Sequence, residues 1–95
     1  MAADYKGYRI EANSRKDESA RLGKAVFTIK NSDGTLAFYL DFYVHELARE
    51  SYWPGQDVED VAMREGERKV HDVIDSGRFD PGRKLICKVF THEAD

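Results

Sequence analysis

The segment TLAFYLDFYVH, residues 35–45, constrains the fold most strongly, because its alternate residues differ in character. Successive side chains of a β-strand point to opposite faces of the sheet. One row is wholly apolar and is therefore predicted to face the core: Leu36, Phe38, Leu40, Phe42 and Val44. The other row is aromatic with polar tips and is predicted to lie on the opposite face: Ala37, Tyr39, Asp41, Tyr43 and His45.

A hairpin is predicted between this strand and the alternating residues 24–30, because Asp33-Gly34 lies between them. An Asp-Gly pair suits the positive φ angles of tight hairpin turns. A two-residue loop sets Ser32 opposite Thr35, and a four-residue loop preserves the same register. Either loop places three apolar pairs on one face: Ile29 with Phe38, Phe27 with Leu40, and Ala25 with Phe42.

The segment DVEDVAMREGERKVHDVIDSG is predicted to form the main helix, with Asp57 as its N-cap and Gly77 at its C-terminal end. Gly66 falls within the apolar stripe of this helix. A glycine there lowers helix propensity by about 1 kcal/mol relative to alanine. We therefore predict that the helix approaches the sheet closely at Gly66, against Phe38 or Phe42.

The remaining segments give weaker patterns. Residues 8–13 alternate as a half-buried strand, and the polar residues that follow them are predicted to be a long mobile connection. Residues 45–56, HELARESYWPGQ, fit either an irregular helical turn or a loop. Residues 84–90 contain the apolar run LICKVF, which is predicted to be a last strand, paired either within the chain or with another chain.

These elements predict a single small α+β domain over residues 1–95, with residues 1–4 and 91–95 flexible. The predicted order is β-β-β-α-β, a two-layer arrangement in which one main helix packs on one face of a three- or four-stranded antiparallel sheet. One helix covers only one side of such a sheet, so the other face is predicted to be bare.

Location and charge limit the classes of partner. No apolar run approaches the roughly 20 residues that span a bilayer, the opening MAADYKGYRI lacks a secretory signal pattern, and the single Cys87 cannot form an intrachain disulfide. We therefore expect a cytoplasmic protein that does not associate with a membrane. Residues 41–75 carry ten acidic and four basic residues within a chain of net charge −3. Such an acidic helix counts against binding along a phosphate backbone.

Two resemblances follow from these segments. YKGYRIEA, GKAVFTI and DVAMREGERKVHDVID resemble a group of short bacterial proteins of unknown function that open with Tyr-x-Gly-Tyr-x-Ile. The resemblance covers most of residues 4–77 and implies a fold but no chemistry. Its positions here are Tyr5, Gly7, Tyr8, Ile10, Ala62, Gly66 and Ile74-Asp75. YWPGQDVEDVA is similar in topology to the Pro-Gly turn and helix start of HicB-like antitoxin domains, although no helix-turn-helix follows it.

The candidate binding residues are Tyr39, Asp41 and Tyr43 on the predicted bare face, together with Trp53. Tyrosines on a sheet suit a protein or self-association interface, and they equally suit a solvated face stabilised by cross-strand pairs. Aromatic side chains near lysines can also stack unpaired bases, but the central Asp41 counts against phosphate binding. Trp53 has two interpretations, as an interface anchor or as a cap on the edge of the core.

Nothing in the sequence indicates a cofactor, a metal or a catalytic residue. The three histidines, His45, His71 and His92, lack the spacing of metal ligands and are interpreted as solvated, with His71 on the solvent side of the helix. Cys87 is interpreted as a small buried hydrophobic residue. Nucleophile-elbow, P-loop and dinucleotide-binding motifs are absent.

The main functional hypothesis is therefore a non-catalytic bacterial protein that binds a protein partner or a second copy, as in a homodimer, through its bare sheet face. A nucleic-acid-linked regulator, either HicB-like or RNA-binding, is the alternative from another class. An enzyme with an unrecognised site is a third hypothesis.

Overall fold

The computed structural model describes residues 2–90 as five strands and two helices. In chain order they are β1 (Ala2–Tyr5), β2 (Tyr8–Asp17), β3 (Leu22–Lys30), β4 (Leu36–His45), α1 (Glu46–Tyr52), α2 (Val58–Ser76) and β5 (Lys84–Val89). The strands form one sheet in the order β1-β2-β3-β4-β5. The α+β class is confirmed, whereas the sheet is larger than predicted and a second helix is present.

The prediction of a fully antiparallel sheet was wrong for the last strand. β1 to β4 form an antiparallel meander, but β5 runs parallel to β4, with Tyr39 opposite Lys84 and Val44 opposite Val89. Both helices lie between these two strands in the chain, and such a crossover returns the chain to the start of β4. β5 therefore pairs within the chain, which answers the question that the sequence left open for residues 84–90.

The N-terminal part of the chain is more regular than predicted. Residues 2–4, which were expected to be flexible, form β1 together with Tyr5, and β1 joins β2 through Lys6-Gly7, both of which have positive φ. β2 continues to Asp17, so the prediction of a long mobile connection was wrong. The Asp17 carboxylate instead holds a short turn by accepting hydrogen bonds from the Ala20 N–H at 3.1 Å and the Ser19 hydroxyl at 2.9 Å.

The β3–β4 hairpin has the predicted register across its apolar pairs. Ile29 lies opposite Phe38, Phe27 opposite Leu40, and Ala25 opposite Phe42. The loop itself differs, because residues 31–35 all lie between the strands and an irregularity follows Ile29. The extra residue at Ala37 sets Leu36 opposite Lys30, so Leu36 is half-buried and leaves the predicted core row.

The predicted main helix is confirmed as α2. The Asp57 carboxylate accepts hydrogen bonds from the N–H groups of Glu59 and Asp60, and Gly77 ends the helix with a left-handed φ of 65°. The ambiguous segment before it forms α1, whose N-cap is His45: the Nδ1 atom accepts a hydrogen bond from the Leu47 N–H at 3.1 Å.

α2 packs on one face of the sheet and closes the core. Its buried side chains meet the apolar residues of β2, β3 and β4, with Phe27, Phe38, Ile29 and Leu40 among the fully buried ones. The close approach at Gly66 is confirmed for Phe42, and Phe27 lies nearer still. Across the described residues 2–90, neither helix is long and apolar enough to cross a membrane. Met1 and residues 91–95, including His92, lie outside the described residues.

Candidate interaction face

The candidate site is the part of the sheet formed by β3, β4 and β5 on the side opposite α2, here called the open half-face. The strand register sets three rows of side chains across it: Thr28–Tyr39–Lys84, Val26–Asp41–Ile86 and Lys24–Tyr43–Lys88. His45 and Phe90 lie at one end, with their ring centroids 6.0 Å apart. The alternation of β4 is what places Tyr39, Asp41 and Tyr43 together, as the sequence predicted.

Large apolar side chains on the open half-face are exposed to solvent. Ile86 is 57% exposed, Phe90 43% and Tyr39 36%. Beside Tyr43, the side chains of Ile86 and Phe90 also line a shallow hollow of about 230 Å³. This volume lies below the roughly 300 Å³ at which small-molecule pockets usually begin. The shape therefore suits contact with a broad surface or a flat ring more than enclosure of a metabolite.

Asp41 lies at the centre of the open half-face but is only 5% exposed. Its Oδ2 atom is 3.7 Å from the Lys84 ammonium, and its buried Oδ1 atom accepts no hydrogen bond from any described residue. A buried acceptor without a partner costs roughly 1–3 kcal/mol. We therefore expect Asp41 to destabilise the fold. Its neighbours cover it, so it does not protrude as a contact residue.

Three rings of the open half-face each have a lysine beside them: the exposed rings of Tyr39 and Phe90 and the partly buried ring of Tyr43. The Lys24 ammonium lies 5.2 Å from the ring centroid of Tyr43, that of Lys84 5.9 Å from Tyr39, and that of Lys88 6.0 Å from Phe90. At these distances an ammonium is attracted to the negative face of the ring. The ring faces are thus covered by flexible cationic chains, which solvent or a ligand can displace.

The open half-face and α2 differ in the sign of their excess charge. The open half-face carries three lysines that lie over rings and one buried carboxylate, Asp41. On the other side, α2 carries six acidic and three basic residues, a net charge of −3. Most of the acidic residues that made phosphate binding improbable from the sequence therefore lie on the α2 side of the sheet, away from the candidate site.

The structure does not bring Trp53 to this face. Trp53 follows α1, is half-buried and packs against the core cluster on the α2 side of the sheet. Its ring makes an edge contact with Tyr52 at a centroid distance of 5.8 Å. This placement corresponds to the second interpretation of Trp53, as a cap on the edge of the core.

The site residues predicted from the sequence did not include four that the fold brings to the open half-face: Lys84, Ile86, Lys88 and Phe90. Their alternation with Leu85, Cys87 and Val89 was a usable signal for two distinct faces. What could not be derived was the neighbour of β5, because a parallel pairing to β4 depends on the crossover through both helices.

The remaining reactive side chains within residues 2–90 form no second site. The His71 ring stacks on the Tyr5 ring with their centroids 3.8 Å apart, so this side of α2 contacts β1. The prediction that this side of the helix is free in solvent was therefore wrong. Cys87 is partly buried, and burial raises the pKa of its thiol. Within residues 2–90, no three His, Cys, Asp or Glu side chains are grouped so that they could hold a metal ion.

No family model, curated protein or solved structure matches the chain. The resemblances to the short bacterial proteins and to HicB-like domains therefore remain predictions. In the fold, two of the motif glycines have structural roles: Gly7 adopts a positive φ in the β1–β2 turn, and Gly66 lies where α2 packs closely on the sheet. What bears on function is the geometry of the open half-face.

Proposed function

We propose that this chain is a non-catalytic binding module that docks a partner on its open half-face. The observation that supports the proposal is the grouping of Tyr39, Ile86 and Phe90, all exposed, on a single surface of the sheet. Aromatic and large aliphatic side chains grouped in this way are typical of interface centres, while the lysines beside them suit an interface rim. The Asp41 acceptor, to which no described residue donates, supports the same conclusion, because destabilising polar groups tend to be retained where they serve function.

The charge of the surface bears on the choice of partner. Two copies packed face to face across a twofold axis would set the lysines of one copy near those of the other. Opposed like charges are unfavourable unless a counter-ion is bound between them. The open half-face therefore favours a partner of opposite charge over the homodimer that the sequence also suggested.

The proposal of a non-catalytic role comes from the chemistry that the surface offers. Its described side chains are rings, lysines, aliphatic groups, the Thr28 hydroxyl and one buried carboxylate, and none forms a nucleophile–base pair. We also propose a cytoplasmic location, which the single cysteine supports because it leaves no intrachain disulfide to be formed in an oxidising compartment.

Capture from a cell lysate tests the proposal. The immobilised wild-type chain and a Tyr39→Ser/Tyr43→Ser variant are exposed to the same lysate, and the retained protein and nucleic acid are identified separately. We expect the wild type to retain a component that the variant loses. A Trp53→Ser variant serves as the comparison for a change of aromatic area on the α2 side. Identical retention by wild type and the Tyr39/Tyr43 variant would contradict docking on the open half-face.

Sedimentation of the purified chain tests the self-association form. We expect a monomer at micromolar concentration, because of the lysines on the open half-face. A dimer that dissociates in the Tyr39→Ser/Tyr43→Ser variant would instead establish that a second copy occupies this surface.

A further inference from the structure

We infer that the partner of the open half-face is single-stranded nucleic acid; this inference rests on the proposed binding role of that surface. Proteins hold unpaired strands without sequence preference by stacking bases on aromatic rings and contacting the adjoining phosphates with cations. Both groups occur here as repeated pairs: Lys24 with Tyr43, Lys84 with Tyr39, and Lys88 with Phe90.

The rings are accessible to a base. The Lys24 ammonium lies over the ring of Tyr43, and the Lys84 ammonium lies over the ring of Tyr39. The side chain of Lys84 is 54% exposed. A lysine side chain has a flexible four-carbon stem. A base that stacks on the ring can displace the ammonium, which then lies close to the phosphate of the same nucleotide.

The spacing of the rings suits a strand that runs along β4. Tyr39 and Tyr43 are four residues apart on one face, which corresponds to about 13 Å. His45, with Phe90 beside it, lies two residues further, so the row of rings covers about 20 Å. An extended strand of a few nucleotides can contact rings at both ends of this row. A duplex cannot do the same, because its bases are already stacked on one another.

The electrostatics of this face also permit an anionic strand. The carboxylate of Asp41 is buried and lies 3.7 Å from the Lys84 ammonium, while the acids of α2 are on the other side of the sheet. The charge nearest to a ligand is therefore that of the lysines. The carboxylates of an acidic protein could also pair with these lysines, but they would not account for the alignment of the aromatic rings.

Fluorescence anisotropy with labelled homopolymers provides the test. The probes are oligouridylate and oligothymidylate of about 12 nucleotides, with a duplex of equal length as the comparison. Salt is varied between about 50 and 200 mM. If all three lysines contact phosphate, log affinity should fall with log salt concentration at a slope of about −2.1, since single strands give about 0.7 per phosphate. Binding of RNA alone would indicate contacts to the 2′-hydroxyl, and equal binding of both would indicate stacking and phosphate contacts only.

Two variants with equal charge change separate a local effect from the effect of net charge. Lys24→Gln/Lys88→Gln removes two cations from the open half-face, and Arg68→Gln/Lys69→Gln removes two from α2. We expect the first to reduce the slope to about −0.7 and the second to leave the slope unchanged. Thermal unfolding of each variant by circular dichroism establishes that it is folded.

A second pair of variants tests the rings. Tyr39→Leu/Tyr43→Leu retains apolar volume but cannot stack a base, so it should weaken binding at least about fivefold. Tyr39→Phe/Tyr43→Phe retains the rings and should bind as the wild type does. The inference is overturned if neither homopolymer binds at about 50 mM salt, or if the two charge variants lose affinity equally. If the oligonucleotides fail while the lysate yields a protein that depends on Tyr39 and Tyr43, the inference fails and the proposed binding role stands.

Discussion

At the scale of single residues, two glycines determine how closely α2 lies to the sheet. A Cβ atom on Gly23 would lie 2.6 Å from the carbonyl carbon of Val58, at the start of the helix. A Cβ atom on Gly66 would lie 2.8 Å from Cζ of Phe27 and 3.0 Å from Cβ of Phe42. Neither contact can be accommodated without displacing backbone or a buried ring. The helix can lie at this distance because both positions lack a side chain.

Gly66→Ala is therefore expected to lower the free energy of unfolding. The gain in helix propensity, about 1 kcal/mol, is smaller than the cost of overpacking against Phe27, about 1–3 kcal/mol. Urea unfolding measures the difference. Arg68→Ala, on the exposed side of the same helix, should change the free energy of unfolding by less than about 0.5 kcal/mol. A Gly66→Ala chain as stable as the wild type would mean that Phe27 moves without cost.

Replacing Asp41 is expected to have the opposite effect and to stabilise the fold. We expect Asp41→Leu to raise the free energy of unfolding by about 1 kcal/mol, since it removes a buried acceptor that no described residue satisfies. The Lys84 partner is half exposed and remains hydrated after the change. Asp41→Asn is the comparison that preserves shape. Destabilisation by Asp41→Leu, measured by urea unfolding, would show that the carboxylate makes a favourable interaction in solution.

At the scale of elements, α2 depends on the N-cap that Asp57 provides. The hydrogen bond from Lys16, and then those from the Asp60 and Glu59 N–H groups, lower the pKa of the Asp57 carboxyl. A carboxyl group with a lowered pKa stabilises the folded state at neutral pH. This contribution is lost as the pH falls through the pKa of the folded state.

We expect Asp57→Ala to lower the free energy of unfolding by about 1 kcal/mol at pH 7, as loss of a cap usually does. The difference from the wild type should shrink as the pH falls below about 3.9, the ordinary aspartate pKa, because the wild-type side chain then becomes protonated as well. Urea unfolding at several pH values measures this trend. A difference that stayed constant as the pH fell below this value would contradict a stabilising role for the Asp57 carboxylate.

The elements that could be derived from the sequence are those specified by nearby residues. The β3–β4 register follows from two alternating segments around a turn, and the ends of α2 follow from Asp57 and Gly77. The direction of β5 could not be derived, because the local pattern of a strand is the same in a parallel and an antiparallel pair. The length of β2 was missed since its second half is polar and exposed, yet it pairs with β3 along its whole length.

The candidate site divides in the same way. Tyr39, Asp41 and Tyr43 follow from the alternation within one strand, which fixes a face without knowledge of the fold. Ile86 and the lysines of β5 could be placed only by knowing that β5 pairs with β4, whose opposed residues lie 45 positions earlier in the chain. Local sequence therefore indicated the centre of the surface but not its extent.

At the scale of the whole molecule, the net charge of −3 conceals a separation of charge. α2 carries the acidic excess on one side of the sheet, and the open half-face presents lysines on the other. Net charge governs solubility and long-range attraction. A ligand at a surface responds instead to the charges within a Debye length, about 10 Å. The chain should therefore behave as a cation towards a ligand at this face.

We expect the folded chain to be retained on a cation exchanger at pH 7 and low salt despite its negative net charge, because exchangers bind charged patches. Lys24→Gln/Lys88→Gln should elute at lower salt than Arg68→Gln/Lys69→Gln, although both variants have the same formal charge. Coincident elution of the two variants would contradict the separation of charge. Unfolding in urea should abolish retention in every case.

The open half-face is complete only while β5, the strand at the edge of the sheet, is paired with β4. β4 is complete before either helix is synthesised, but Ile86 and the lysines of β5 join it only after the chain has crossed over α2. Because β5 is held by pairing on one side only, its detachment would dismantle the docking surface while the four-strand meander stays assembled. A ligand that bridges β4 and β5 would hold the last strand in place, so ligand binding should slow amide exchange in β5 by a larger factor than in any other strand.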